Sequence, residues 1–144
     1  SVYDGSPRVY GENLLFLYRL LAERKPHQCI SHRKLPTFEQ HREFVSRRPY
    51  KDWWIASENG KVGSLYITEQ SEIGLFILEE FQNKRYGSEI LDVLFNMAPK
   101  TTYYANINPT NYKSINFFKK HKFTWHREKS INNLDICQVT YVRA

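Results

Sequence analysis

The chain has 144 residues, 41% of them apolar and 15% aromatic, which suffices for one domain (residues 1–144) with a sizeable core and is too short for two. It has no apolar run near the roughly 18 residues that a spanning helix needs and no signal-peptide core at its start, so a cytoplasmic protein without a membrane partner is expected. The formal charge of +6 favours an anionic ligand, but the cations come in scattered pairs such as Arg24-Lys25, Arg47-Arg48 and Lys84-Arg85, and the aromatics fall at core spacing, so nucleic acid is not the expected partner.

Ser1 to Gly11 reads as either a short strand around Arg8 to Tyr10 or a loose arm. Asn13 is placed to cap a helix over Leu14 to Arg24, with Leu14, Leu17, Tyr18 and Leu21 on one face and Pro26 ending it. A linker around Cys29 to Leu35 follows. Thr37 then caps a second helix with Gln40 as its capping-box partner, and this helix carries Phe38, His41, Phe44 and Val45. Near Pro49 the period changes from helical to extended. Trp53 to Ser57 and Val62 to Thr68 read as strands joined by a hairpin turn at Asn59-Gly60, and Glu69-Gln70-Ser71 turns the chain into a third, Ile73 to Leu78. Cys29 and Cys137 have no C-x-x-C spacing and no histidines around them, so they read as reduced thiols and no metal is expected.

The third strand leads through Gln82-Asn83-Lys84-Arg85-Tyr86-Gly87-Ser88 into an amphipathic helix carrying Ile90, Leu91, Leu94 and Phe95. Two cations and a glycine at a helix start suit an anion, because unpaired N–H groups point out of that end. After the helix, Thr101 to Ile107 reads as a strand parallel to the third, as the intervening helix requires. Asn111 caps a helix to about His121, and Phe123 to Arg127 and Leu134 to Val142 form a closing antiparallel pair.

The loop resembles the Q/R-x-x-G-x-G/A signature of the GNAT family of N-acetyltransferases. Gln82 takes its first position and Gly87 its last, with Arg85 where the first glycine would stand. The stretch from Ala105 to Phe123 is similar to the family's later block, P-x-N-x-x-S-x-x-x-Y-x-K-x-G-F. Pro109, Asn111, Ser114, Lys120 and Phe123 match in register, while Phe118 replaces the tyrosine and Lys122 the glycine. An arginine at position 85 requires a negative φ or a compensating phosphate contact from its guanidinium. The resemblance, which covers Leu14 to Val142, implies an α/β (α+β) fold: a mixed, splayed sheet of six to seven strands flanked by four helices, acyl-CoA N-acyltransferase-like.

It also implies roles. Acetyl-CoA, as co-substrate, would lie on Gln82, Asn83, Lys84, Arg85, Tyr86, Gly87 and Ser88, with its pantetheine arm along the backbone of Leu75, Phe76 and Ile77 and with Asn111 and Phe118 beside it. Acetyl transfer to an amine needs a base, a polarised thioester carbonyl and a proton for the leaving thiolate. Glu72 is the base expected. With phenylalanine at 118 the acid is Tyr112, Tyr103, Tyr104 or water, or the thiolate leaves unassisted. His32 and Asn106 are candidates for acceptor contact, with His41 in reserve. The expected activity is acetylation of a primary amine on a small acceptor by a monomer or homodimer. An amino-sugar nucleotide is one candidate acceptor, and an amino acid, a polyamine or a protein amino group is left open. Arg85, Phe118 and Lys122 keep open a second class, a CoA-binding regulatory module without turnover.

Overall fold

A computed structural model describes residues 13–29, 34–131 and 135–144. The expected strand or arm at Ser1 to Gly11 and the candidate His32 lie outside the described residues. The first helix, α1, spans Leu14–Ala22 and buries Leu17 and Leu20. It stops before Arg24, and the Asn13 side chain does not cap it. The second, α2, spans Phe38–Ser46 and has the expected capping box: Gln40 N–H donates to Thr37 Oγ1 at 3.1 Å, and Thr37 N–H donates to Gln40 Oε1 at 2.9 Å.

Strands β1 (Asp52–Ser57), β2 (Lys61–Ile67) and β3 (Glu72–Ile77) form an antiparallel meander. Asn59 and Gly60 turn the first hairpin with φ of 56° and 130°, the positive pair that an Asn-Gly turn supplies. Helix α3 (Tyr86–Met97) crosses to β4 (Tyr103–Ile107), α4 (Tyr112–Lys120) follows, and β5 (Thr124–Ile131) and β6 (Asp135–Arg143) close the chain. The described residues thus give the mixed sheet and four α-helices of the expected class, in strand order β1-β2-β3-β4-β6-β5.

Among the described residues its one parallel junction is short. β3 and β4 are in register at only two pairs, Glu72 with Tyr104 and Ile73 with Ala105, and then part. β4 stays paired with β6 along its whole length, so the opening belongs to the β3 side alone.

Side-chain alternation divides the interior into two apolar layers. Ile73, Ala105 and Ile107 pack with Ile90, Leu91 and Leu94 of α3 and with Ile115 and Phe118 of α4. On the other face Leu17 and Leu20 of α1 and Val45 of α2 cover Trp53 and Ile55, with Tyr66 and Phe76 packed against them. This second layer takes no side chain from β4, β5 or β6. On the same face Tyr66 lies across Gly74, where a β-carbon would sit 2.0 Å from its ring.

Gly74→Val should therefore force Tyr66 off the sheet and lower the unfolding free energy by about 2–3 kcal/mol, measured as a shift of the urea midpoint.

Candidate active site

The turn that follows β3 is held from both sides. Gln82 Nε2 donates to the Ile77 carbonyl at 3.0 Å, and Lys113 Nζ, in the first turn of α4, donates to Gln82 Oε1 at 3.4 Å. Asn83 and Arg85 have φ of 63° and 67°. Of the two conditions that an arginine at 85 had to meet, negative φ is therefore not met: the backbone keeps the left-handed geometry that glycine adopts without strain. Arg85 is also the N-cap of α3, whose first bond runs from Glu89 N–H to the Arg85 carbonyl at 3.2 Å. The N–H groups of Tyr86, Gly87 and Ser88 lie outside the helix's own ladder, at the positive end of its dipole.

A β-carbon at Gly87 would stand 3.1 Å from the ring of Phe117. That ring, and not Phe118, is the neighbour of the glycine. Phe118 is 6% exposed, its ring 5.2 Å from that of Phe117 and 5.0 Å from that of Phe123. Ser88 Oγ is 2.9 Å from His121 Nε2, which ties the mouth of α3 to the end of α4. There Phe123 N–H bonds to the Phe118 carbonyl and Lys122 N–H to that of Lys119, with Lys122 at φ 71°: a complete Schellman ending with lysine in the glycine position. Asn111 Oδ1 accepts from Ser114 N–H at 3.3 Å, which leaves its Nδ2 for other partners.

Beside this mouth is the gap left by β4. Leu78 N–H bonds to the Val62 carbonyl and Thr68 N–H to the Glu72 carbonyl, so the even-numbered positions of β3 face β2. By the same alternation Phe76 turns both main-chain groups to β2, and Leu75 and Ile77 turn theirs toward the gap. The Ile77 carbonyl is met by Gln82. Of the three residues expected to guide pantetheine, Leu75 and Ile77 thus present a main-chain edge and Phe76 does not.

Glu72 and Asn106 meet on the face away from α3 and α4. Asn106 Nδ2 donates to Glu72 Oε2 at 2.6 Å, and its Oδ1 accepts from Thr140 Oγ1 at 2.7 Å. Glu72 N–H also donates to Thr68 Oγ1 at 3.0 Å. With both ends of its amide engaged, Asn106 positions Glu72. Sequence reading missed Thr68 and Thr140; Thr140 belongs to β6, and only the strand order brings it to Asn106. Glu72 borders a hollow of about 240 Å³ lined by Gln70, Tyr104, His126 and Arg127. Cys29, in the α1–α2 linker, reaches the end of β4, where its carbonyl accepts from Asn108 Nδ2 at 2.8 Å.

Of the tyrosines considered as acids, Tyr103 is committed: its hydroxyl donates to the Ala98 carbonyl at 2.7 Å and accepts from Lys100 N–H. Tyr112 is 69% exposed at the start of α4, next to the lysine that reaches Gln82. His41 is 5% exposed, beneath α1 and against Tyr18.

A match to the acetyltransferase (GNAT) family spans residues 14–123. The chain belongs to that family, whose members are acyltransferases that use acetyl-CoA as co-substrate. No curated protein matches the chain. Among solved structures it is similar to a domain from Methanocaldococcus jannaschii DSM 2661, at 22% identity and a TM-score of 0.74, covering 95% of each chain. It is also similar to a ribosomal-protein-alanine N-acetyltransferase from Brucella melitensis, at 14% identity and a TM-score of 0.73, covering 95% of this chain and 97% of that one. A spermidine N-acetyltransferase from Vibrio cholerae, solved with CoA and spermine, matches at 14% identity and a TM-score of 0.74, covering 94% and 90%. Likeness at these identities is likeness of fold.

Two outcomes follow from the strained and buried groups. Arg85→Gly relieves a left-handed arginine and should stabilise the protein by about 0.5–1 kcal/mol in urea unfolding. His41 and His121 both titrate below the usual 6.5, chiefly because burial disfavours the charged ring. Below that value the unfolded chain binds more protons than the folded one, so stability held at higher pH should fall as pH drops through the lowered folded values. Thermal melts from pH 7.5 to 5 check this, with a smaller slope expected for His121→Asn.

Proposed function

We propose that this protein transfers the acetyl group of acetyl-CoA directly to a primary amine of a small acceptor. The observation that carries the reading is the early parting of β3 from β4 beside the start of α3, whose N-cap side chain makes no capping bond. Bound acetyl-CoA supplies an acetyl group activated as a thioester.

In this reading the N–H groups of Tyr86, Gly87 and Ser88 hold the diphosphate, and the exposed Lys84 and Arg85 add charge from the loop that Gln82 and Asn83 shape. Asn111 adds a contact through Nδ2. The odd-numbered edge of β3 guides the pantetheine arm, and Leu75 N–H donates to the carbonyl oxygen, where negative charge develops. Glu72 accepts a proton from the incoming ammonium, with its carboxylate aimed by Asn106. As the N–C bond forms and the C–S bond breaks, the departing sulfur takes a proton from Tyr112 or from water relayed by it. A thiol pKa of about 8–9 makes this last assistance modest.

Saturating acetyl-CoA should raise the melting temperature by several degrees, and Gly87→Trp, which drives a ring against Phe117 and into the diphosphate cradle, should abolish the rise. No rise with the native chain would count against the reading. In an assay of thiol release over a panel of amines, Glu72→Gln should lower kcat by about a hundredfold with the KM for acetyl-CoA unchanged. Binding without thiol release from any amine would favour the regulatory module instead.

A further inference from the structure

Arg24, just past the end of α1, lies against Phe76 on the face of β3 that carries Glu72, and among the described residues it has no acidic partner. Its guanidinium carbon is 3.7 Å from the centre of the Phe76 ring, and its Nε is buried with no hydrogen-bond partner. Among the described residues no carboxylate pairs with it. The polar groups electrostatically closest to it are Tyr66, Cys29 and Tyr50, with His41 also within its field. Burial pushes its pKa below the ordinary arginine value, yet a guanidinium keeps its charge at any physiological pH. A cation held this way, supported by one ring face and with no counter-ion among the described residues, is costly to the free protein and well suited to an anion brought from outside.

Its placement ties it to the reaction. Phe76 and Glu72 share one face of β3, with Gly74 between them and Tyr66 lying over that glycine. Tyr66 in turn stacks on Tyr50, ring centres 3.6 Å apart and nearly parallel, which makes a rigid aromatic wall. Leu75, whose N–H is assigned to the thioester carbonyl, precedes Phe76 by one residue, about 3.3 Å along the strand.

We infer that the acceptor is an amine that also bears a carboxylate, and that Arg24 receives this carboxylate while the nitrogen faces Glu72. The inference rests on the acetyl-transfer reading above and specifies its acceptor. Phe76 stands four residues from Glu72 in β3, roughly 13 Å along the strand, so the nitrogen and the carboxylate lie several bonds apart, as in ω-amino acids. A planar carboxylate matches the paired N–H groups of a guanidinium, whereas a polyamine would set like charge against Arg24.

The test is thiol release from acetyl-CoA with matched pairs of acceptors that differ only in the carboxylate: β-alanine and ethylamine, γ-aminobutyrate and propylamine, 6-aminohexanoate and pentylamine, with phosphoethanolamine and spermidine as further arms. The acids should be used better than their partners. Arg24→Gln should raise the KM for the acids about 10–100-fold while the KM for acetyl-CoA and the use of the plain amines stay unchanged, and Arg24→Lys should recover part of the loss. As a readout that needs no turnover, the acids added with CoA should raise the melting temperature above that with CoA alone in the native chain and not in Arg24→Gln. Thiol release that treats acids and amines alike, or that prefers phosphoethanolamine or spermidine, overturns the carboxylate assignment and leaves the transferase reading standing. The absence of both acid-dependent turnover and acid-dependent stabilisation also overturns it, and silence with every amine overturns the transferase reading as well.

Discussion

Everything at the candidate active site depends on two strands ceasing to pair. A parallel junction normally satisfies the main chain of both partners along their length, but here β3 and β4 are in register for two residue pairs and then separate. β4 loses little, because β6 runs beside it throughout. β3 is left with an odd-numbered edge whose amides need partners. Gln82 meets the last of these carbonyls from the turn beyond, and in doing so positions the loop that opens α3. One backbone requirement thus links the gap, the turn and the helix mouth, and it leaves the Leu75 amide for a ligand to meet.

The second constraint is backbone handedness. Arg85 and Lys122 stand where the family pattern has glycine, and both take the positive φ that glycine would have taken, at 67° and 71°. Such a residue costs on the order of 1–3 kcal/mol and persists only where its surroundings enforce it. At 122 the Schellman bonds enforce it; at 85 the start of α3 does. The substitutions therefore alter charge and strain without altering the path of the chain. Beside a site read as binding a diphosphate, the cation at 85 contributes electrostatic attraction where glycine contributes none.

The acceptor side is more particular to this chain. Proteins of the same fold act on quite different amines, one of the similar structures by its description on spermidine and another on a ribosomal protein. On the face of β3 away from α3 and α4, this chain combines a carboxylate held by a chain of hydrogen bonds, from Thr140 through Asn106 to Glu72, with a guanidinium that has no carboxylate beside it among the described residues. Opposite charges at two ends of an aromatic floor suit a molecule that carries both signs.

The elements themselves were legible in the amino-acid sequence, because the rules that set them act within a few residues. Thr37 and Gln40 make their capping box across three positions, Asn59-Gly60 turns a hairpin by its own φ preferences, and Ile90, Leu91 and Leu94 mark the buried side of α3 by period alone. The Gln82 to Ser88 loop and the Asn111 helix were readable for the same reason. Only the tertiary structure decided that Phe76 faces β2 while Leu75 faces the gap, that Phe117 and not Phe118 adjoins Gly87, and that Asn106 is held between Glu72 and Thr140, each 34 residues away along the chain. Those outcomes depend on strand order, register and the packing of α4 on α3. Such contacts join residues with no local relation to each other, so no periodicity or spacing records them, and the same local signals would be compatible with several arrangements of the site.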